Sequence, residues 1–243
     1  MAGRFYVVGD IHGCARELET LLASLQLAAG DTLAFIGDYI DRGPDSRAVV
    51  EILLDLHRRE NLRTIFIRGN HEDMCLAYLG RSGRWGEAWR LNGGVATLRS
   101  YGIPTQLAGR EAAERFPAAH LEFFEDLRLT FVADRFLLVH AGIRPARALE
   151  AQDPEDLLWI REEFIASPHN LPHTIVFGHT PQRHVLLDPP YKIGIDTGCV
   201  YGGRLTAIEL NEGILHQVAY GDDHVRQDGL PTTPRGPRLA PRP

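Results

Sequence analysis

The sequence predicts an α/β fold built around a parallel sheet, and three patterns in the chain support this. Short apolar runs that end in glycine recur along the first third of the chain, at Phe5–Gly9, Thr32–Gly37 and Thr64–Gly69. Such runs are typical of central strands. Their apolarity is nearly continuous, which indicates burial on both faces. Helical patterns lie between them, and this alternation of strand and helix predicts parallel strands.

The individual elements follow from local spacing. Leucines at helical spacing predict a helix over Arg16–Leu25, and Ser46–Arg58 has the same amphipathic pattern after a Pro-Asp start signal. Further strand-like runs lie at Phe136–His140, Thr174–Gly178 and Lys192–Ile195. The strand pattern therefore continues well beyond the first third of the chain.

The middle and the end of the chain have different patterns. Residues 71–129 contain no strand-like run, and their aromatic residues at helix-compatible spacing predict a helical insertion. From Lys192 onward, strand-like runs separated by turn signals predict an antiparallel meander that completes a single domain over residues 1–220. Residues 221–243 are rich in proline and arginine and poor in large apolar side chains, so this tail is expected to be disordered.

Composition excludes several classes of protein. The chain has 243 residues, of which 44% are hydrophobic and 24% charged, as expected for one soluble globular domain. Its net charge of −6 argues against a nucleic-acid or anionic-membrane partner. No apolar stretch is long enough to span a bilayer, and no signal peptide is recognisable. The three cysteines are far apart and odd in number, so a reducing cytoplasm is the expected location.

Five short polar blocks carry most of the functional information, and each directly follows an apolar run. The blocks are Gly9–Gly13 (GDIHG), Gly37–Gly43 (GDYIDRG), Gly69–Glu72 (GNHE), His140–Gly142 (HAG) and Gly178–His179 (GH). Ligands of open α/β sheets bind beyond the carboxyl ends of the strands. Segments that are distant in sequence are therefore expected to converge there.

The side chains of these blocks predict a dinuclear metal site. The candidate ligands are Asp10, Asp38, Asn70, His140 and His179. This mixture of carboxylate, amide and imidazole suits Mn, Fe or Zn and has too much nitrogen for a dedicated Ca site. Asp38 is the candidate for a bridging ligand. Two metal ions about 3.5–4 Å apart share a water, lower its pKa and polarise a phosphoryl group, so phosphate esters are the expected substrates.

Charged and acidic groups beside the metals complete this hypothesis. Arginine binds phosphate oxygens in a bidentate manner, and Arg42 and Arg161 are the two candidates for this role. His71 directly follows a predicted metal ligand and is placed to protonate the leaving alkoxide. Asp41 is placed to orient and charge that imidazole.

Each of these features also has a structural interpretation. A lone GDxHG block could be a turn, Asp41 and Arg42 could form a structural ion pair, and Arg161 could be a solvated surface charge. The occurrence of all five blocks in order, each after a strand, favours the metal site. Cys14 directly follows the first block, and a buried, inert thiol is favoured over an oxidation-sensitive one beside the metals.

The motifs GDIHG, GDYIDRG, GNHE, HAG and GH resemble those of the phosphoprotein phosphatase family of metallophosphoesterases, over roughly residues 5–210. The resemblance implies a calcineurin-like four-layer α/β sandwich with two central mixed β-sheets. It also implies a set of residue roles: Asp10 and His12 at the first metal, Asp38 as the bridge, Asn70, His140 and His179 at the second metal, His71 with Asp41 as an acid dyad, and Arg42 and Arg161 as phosphate ligands.

The segments Gly178–Pro181 and Asp196–Leu205 are similar to those of bacterial members of the family, which include serine/threonine protein phosphatases and symmetrical diadenosine tetraphosphate hydrolases. We therefore expect a phosphomonoesterase with two divalent metal ions, most simply Mn. Its expected substrate is phosphoprotein or phosphopeptide, hydrolysed by direct attack of a metal-bridging hydroxide. Hydrolysis of symmetrical dinucleoside tetraphosphates is the alternative, because the metal site serves both reactions. A non-catalytic scaffold would be expected to lack a ligand or the acid, and none is missing.

Overall fold

The computed structural model describes residues 3–230, in which strands and helices alternate. The strands are β1 (Phe5–Val8), β2 (Thr32–Phe35), β3 (Arg63–Phe66), β4 (Thr130–Ala133), β5 (Phe136–Val139), β6 (Thr174–Phe177), β7 (Leu186–Asp188), β8 (Lys192–Gly194), β9 (Arg204–Glu209), β10 (Ile214–Ala219) and β11 (Val225–Gly229). The helices are α1 (Ala15–Ser24), α2 (Ser46–His57), α3 (Asn70–Tyr78), α4 (Gly86–Trp89), α5 (Val95–Ser100), α6 (Gly109–Ala113), α7 (Ala118–Glu125), α8 (Pro154–Trp159) and α9 (Glu162–Ile165). A π-helical turn at Arg90–Gly94 joins α4 to α5.

The strands form two mixed sheets. The first has the order β11-β10-β9-β1-β2-β3, and the second has the order β4-β5-β6-β8-β7. β1, β2 and β3 are parallel to one another, as are β5, β6 and β8. Antiparallel neighbours extend both sheets at their edges. The carboxyl ends of the parallel strands are therefore the places where the five polar blocks leave the sheets.

Alternating side chains of each strand fill two different layers of the core. In β1, Val7 packs between the two sheets, whereas Tyr6 and Val8 pack on the opposite face against α1 and α2. In the second sheet, Leu138 faces the first sheet, and Leu137 faces the layer formed with α8 and α9. Burial on both faces requires apolar residues at successive positions, which explains the continuous apolar runs. The result is the four-layer α/β sandwich with two mixed sheets that the sequence predicts, and this fold class is confirmed.

Two expectations for the C-terminal part of the chain are wrong. β8 does not belong to the final meander, because it pairs with β6 and β7 in the second sheet. Disorder was expected from residue 221 onward, but residues 221–230 include β11, which pairs with β10 along its whole length. That strand has little apolar burial, so backbone pairing rather than a hydrophobic pattern stabilises it. The rest of the predicted tail, residues 231–243, lies outside the described residues.

The region between β3 and β4 is helical. Helices α3 to α7 occupy residues 70–125, and α3 and α7 pack against the helix layer on the first sheet. Among residues 3–230, no helix combines the length and the apolar character needed to cross a bilayer.

Candidate metal centre

The six predicted metal ligands all lie directly after strands, in both sheets. Asp10 and His12 follow β1, Asp38 follows β2, Asn70 begins α3 after β3, His140 follows β5 and His179 follows β6. All six side chains are buried. Because these strands are parallel within their sheets, their carboxyl ends meet at one edge of the sandwich, and the predicted convergence is present.

Asp38 is the centre of this cluster. Its Oδ2 lies 3.4 Å from His12 Nε2, and its Oδ1 lies 3.4 Å from His140 Nε2. His71 Nε2 lies 3.9 Å from Asp38 Oδ2. The two carboxylate oxygens therefore face two different groups of ligand atoms, as a bridging carboxylate must.

A second group of donors lies on the Oδ1 side of Asp38. Asn70 Oδ1 is 2.9 Å from His140 Nε2 and 2.9 Å from His179 Nδ1. The donor atoms of Asp38, His140 and His179 all lie within 4.8 Å of one another, and so do those of His12, Asp38 and His71. Two donor clusters thus share one carboxylate.

Backbone carbonyl groups orient two of the imidazoles. His12 Nδ1 lies 2.9 Å from the carbonyl oxygen of Ile40, and His140 Nδ1 lies 2.8 Å from that of Ile36. Donation from Nδ1 leaves each Nε2 unprotonated and directed at Asp38. This is the arrangement by which a hydrogen bond to the outer ring nitrogen fixes the tautomer of a metal-binding histidine.

Asp10 carries the clearest signature of a cation site. Its Oδ2 accepts a hydrogen bond from the backbone N–H of His179 at 3.0 Å, but its Oδ1 is buried without a partner. Burial, together with the charges of Asp196 and Asp38, raises the pKa of Asp10 well above its usual value. A buried carboxylate in such surroundings requires a positive partner. The residues present therefore fit two divalent metal ions with oxygen and nitrogen ligands.

The protonation states agree with this conclusion. Burial opposes ionisation of Asp38, but the surrounding imidazoles outweigh it and lower the pKa of this carboxyl. Burial lowers the pKa values of His12, His140 and His179. Neutral imidazole and ionised carboxylate are the forms that bind metal ions.

His71 and Asp41 form a buried hydrogen-bonded pair beside the centre. His71 Nδ1 lies 2.6 Å from Asp41 Oδ2. Burial opposes protonation of His71, but the charge of Asp38 and the hydrogen bond that His71 donates to Asp41 outweigh it and raise the pKa of the imidazole. Asp41 also accepts hydrogen bonds from Trp89 Nε1 at 2.8 Å and Thr97 Oγ1 at 2.5 Å. Trp89 and Thr97 belong to the helical insertion and lie in no recognisable motif, so the sequence does not predict their contact with Asp41.

Arg42 lies at the rim of the His12 side of the centre. Its Nη1 contacts His12 Nε2, and its guanidinium stacks on the ring of Tyr201 at 5.5 Å from the ring centre. The backbone N–H of Arg42 donates to the carbonyl of Gly93 at 3.3 Å. Gly93 has a φ of 111°, and a Cβ there would lie 2.7 Å from Arg42 Cγ. The helical insertion therefore determines the position of this arginine.

Arg161 lies on the other side of the centre. It is exposed and directly precedes α9, so it lies in the junction between α8 and α9. Burial is the main cause of the low pKa values of His140 and His179, and the positive charge of Arg161 adds to it. Arg161 is thus close enough to act electrostatically on the second donor cluster.

Glu72 supports the centre without touching a donor cluster. This fully buried carboxylate accepts backbone N–H bonds from Asp38 at 3.0 Å, Tyr39 at 2.8 Å and Gly69 at 3.0 Å. Burial raises the pKa of Glu72 to about 8. Glu72 lies in the GNHE block, but the sequence assigns no role to this residue. Its place as the third residue of α3 could have predicted a capping role, because a glutamate at this position commonly caps the helix start.

Asp196 is a second buried acid near the centre. Its Oδ1 accepts the backbone N–H of Gly198 at 2.9 Å. Burial raises its pKa to about 6, and the negative charge of Asp38 adds to the effect. Asp196 belongs to the loop after β8, which brings it to the same edge of the sandwich.

Comparison with known proteins agrees with the geometry. A serine/threonine-protein phosphatase 1 from Salmonella typhimurium is 34% identical over 207 residues, covering 83% of this chain and 89% of the relative. The asymmetrical bis(5'-nucleosyl)-tetraphosphatase PrpE of Anoxybacillus flavithermus is 27% identical, covering 85% of this chain and 90% of the relative. A solved structure described as a putative diadenosine tetraphosphatase is 28% identical with a TM-score of 0.67, covering 90% of this chain and 94% of that one.

The profile of the calcineurin-like phosphoesterases matches residues 3–226, nearly the whole described chain. Together with the fold and the donor clusters around Asp38, this match identifies the chain as a member of the calcineurin-like metallophosphoesterase family, whose activity is hydrolytic.

Proposed function

We propose that this metallophosphoesterase is a serine/threonine protein phosphatase that removes a phosphoryl group from phosphoprotein. The geometry that supports phosphomonoester hydrolysis is the pair of donor clusters sharing Asp38, with the His71–Asp41 pair 3.9 Å from that carboxylate. The relative at 34% identity, a serine/threonine phosphatase by name, is the observation that favours this substrate.

The proposed ligands divide into two sets that share Asp38. His12 and Asp38, together with Asp10 through its unpartnered Oδ1, would hold one ion, and Asp38, Asn70, His140 and His179 would hold the other. We propose Mn, while Fe and Zn suit the same donors. When bound, two divalent ions would lower the pKa of a water between them and neutralise charge on the phosphoryl group.

The remaining steps belong to side chains of the chain itself. Arg42 and Arg161 would bind the non-bridging oxygens of the phosphoryl group and stabilise their charge in the transition state. His71 holds Asp41 through Nδ1, so its Nε2 is the atom that would protonate the departing serine or threonine oxygen. Asp41 would keep that imidazole charged and in place.

The charge distribution fits a single phosphoryl group. Arg68 and Arg144 lie next to the GNHE and HAG blocks in sequence, and Arg84 lies in the loop between α3 and α4, but all three are paired with carboxylates. Their partners are Asp73 at 3.6 Å, Glu155 at 3.0 Å and Asp156 at 2.5 Å, respectively. Among residues 3–230, the two guanidinium groups proposed to bind phosphate, those of Arg42 and Arg161, match a phosphomonoester better than a tetraphosphate chain, which carries several negative charges.

A second candidate is hydrolysis of dinucleoside tetraphosphates. Relatives with 27–29% identity carry this activity in their names, and so does the solved structure at 28% identity. Those relatives are named as asymmetrical enzymes, whereas the sequence analysis considered the symmetrical type. Asymmetrical cleavage yields a nucleoside triphosphate and a monophosphate, and symmetrical cleavage yields two diphosphates. The products therefore distinguish the two types.

The test is a substrate panel with metal-stripped protein. Mn, Fe, Zn or Mg is added back, and phosphoserine, phosphothreonine and phosphotyrosine peptides are compared with diadenosine tetraphosphate, whose products are separated by chromatography. Mn-dependent turnover of the phosphoserine and phosphothreonine peptides is the expected result. Turnover of the dinucleotide alone would overturn the proposed substrate and retain the metal chemistry. Absence of turnover with every metal would overturn the proposed enzyme.

A further inference from the structure

Three further potential metal ligands cluster outside the dinuclear centre. Cys14 is 1% exposed, Cys199 is 2% exposed and Glu17 is 4% exposed. The two sulfurs and a carboxylate oxygen all lie within 4.8 Å of one another. Cys14 was predicted to be buried and inert. Its thiol is buried, but it lies beside a second thiol and a carboxylate.

The fold brings these residues together from two distant segments. Cys14 immediately precedes α1, and Glu17 is in the first turn of that helix. Cys199 begins the short 3₁₀ turn Cys199–Tyr201 in the loop between β8 and β9. Because β1 and β9 are hydrogen-bonded neighbours, the segments after β1 and before β9 meet at the same edge of the sheet.

The donor set is that of a thiophilic cation. Zn²⁺ binds cysteine sulfur at about 2.3 Å in tetrahedral geometry, which separates two bound sulfurs by about 3.8 Å. The observed spacing fits this with a small adjustment of side chains. The carbonyl oxygen of His12 lies 3.7 Å from Cys14 Sγ and is a further possible metal ligand. Sulfur ligands select zinc-class ions, in contrast to the oxygen and nitrogen ligands around Asp38.

The electrostatic surroundings also favour a cation. Contact with Cys14 and burial raise the pKa of the Cys199 thiol, and the negative charges of Glu17 and Asp196 add to the effect. Glu17 Oε1 accepts the backbone N–H of Gly221 at 2.8 Å, which uses one of its two oxygens. A divalent ion would offset the negative charge that accumulates when both thiols ionise.

We propose that Cys14, Glu17 and Cys199 form a separate binding site for one soft divalent cation of the zinc class. The two thiols release their protons to solvent as the metal–sulfur bonds form. The bound ion links the start of α1 to the loop that carries Tyr201, on whose ring Arg42 stacks. This site is independent of the proposed substrate.

The experiment uses the full chain, reduced and freed of metal, titrated with Cd²⁺. Ligation of Cd²⁺ by thiolate produces an ultraviolet charge-transfer band that oxygen and nitrogen ligands do not produce. We expect the band to reach its maximum with one thiolate-bound ion per chain. Cys14→Ser and Cys199→Ser should each remove most of the band, and Glu17→Gln should weaken binding at least about tenfold. Cys75→Ser is the matched control, because Cys75 is equally buried but outside the cluster, and it should keep the band.

Two results would overturn the site. One is a wild-type chain that is held fully reduced and gives no thiolate band, whether or not Cys14 and Cys199 form a disulfide on exposure to air. The other is a band that survives in Cys14→Ser and Cys199→Ser. Circular dichroism checks the fold of each variant. Should the serine variants fail to fold, cadmium NMR of the wild-type chain, whose chemical shift reports the number of bound sulfurs, decides between a two-sulfur site and none.

Discussion

Replacement of Asp41 by asparagine isolates the acid step from metal binding. Asp41 is fully buried and accepts hydrogen bonds from His71, Trp89 and Thr97, but it contributes no atom to either donor cluster. In Asp41→Asn the carbonyl oxygen can still accept from His71 and Trp89. The new amide can donate to Thr97 Oγ1, whose own proton can then turn to Ser46 Oγ at 3.0 Å. The loss of folding stability should therefore be about 1 kcal/mol, the value of one altered hydrogen bond.

The loss of activity should be much larger. Without the carboxylate, the pKa of His71 loses the contributions of the Asp41 hydrogen bond and charge, both of which raise it. The alkaline limb of the pH–rate profile should therefore move to lower pH. General acid catalysis contributes about 10²–10⁴-fold in rate, so kcat for a phosphoserine peptide should fall at least about 100-fold at neutral pH.

The assay compares kcat and KM across pH for the metal-loaded wild type, Asp41→Asn and Asp45→Asn, with metal content measured in each. Asp45 is an exposed carboxylate four residues along the same segment, so its variant should resemble the wild type. An Asp41→Asn enzyme with a full complement of metal, an unshifted pH profile and a kcat within about threefold of the wild type would refute the assignment of His71 and Asp41 as an acid pair.

The pH dependence of folding stability gives a second check. A raised folded-state pKa of His71 stabilises the fold below the unfolded pKa of about 6.5, and this stabilisation is lost as the pH rises through the folded-state pKa. The stability difference between the two proteins should therefore be widest at acidic pH.

Three further changes test other parts of the centre. Gly178→Ala should abolish binding of the first metal without unfolding the chain, because a Cβ there would lie 2.0 Å from Asp10 Oδ1; metal analysis that finds as many ions per chain in the purified variant as in the wild type would contradict this. Arg161→Ala should lower kcat/KM for phosphopeptide at least about tenfold at constant metal content, since one charge-assisted hydrogen bond contributes about 1.5–3 kcal/mol. Unchanged kinetics would show that Arg161 is a surface charge with no role in catalysis. Trp89→Phe should remove one hydrogen bond to Asp41 and leave part of a fully buried site unfilled, so the free energy of unfolding measured by urea denaturation should fall by at least about 1.5–3 kcal/mol; an unchanged midpoint would show that this bond contributes nothing.

The positions of the candidate ligands could be predicted from the sequence because each depends on a local pattern. A run such as Phe5–Gly9 can only be buried as a strand, and a polar block after it must emerge at the carboxyl end of that strand. The same reasoning failed for β11, where the pairing with β10 is a long-range property that side chains such as those of Val225–Gly229 do not reveal. It failed also for β8, whose short apolar run fits either sheet equally well.

Support for the site was less predictable than the site itself. Trp89 and Thr97 reach Asp41 only because the helical insertion folds back over the loop after β2. Their spacing in sequence is compatible with ordinary core packing, so nothing local distinguishes them. The place of Glu72 in the sequence is that of a helix cap, but its four backbone partners include Asp38, Tyr39 and Ile40 of a separate loop as well as Gly69.

Backbone strain explains why so much support is needed. Several residues of the centre have a positive φ without being glycine: His12 (49°), Asp38 (53°), Asp41 (76°), Arg42 (69°) and His179 (65°). A non-glycine residue in such a conformation costs about 1–3 kcal/mol unless the surroundings fix it. Here the surroundings do so with buried hydrogen bonds, such as those that the backbone N–H groups of Asp38 and Asp41 donate to Glu72 and Thr97, respectively. The loops that bear the ligands are thus held in conformations that they would not adopt alone, which lets donor atoms from both sheets point at one carboxylate before any metal arrives.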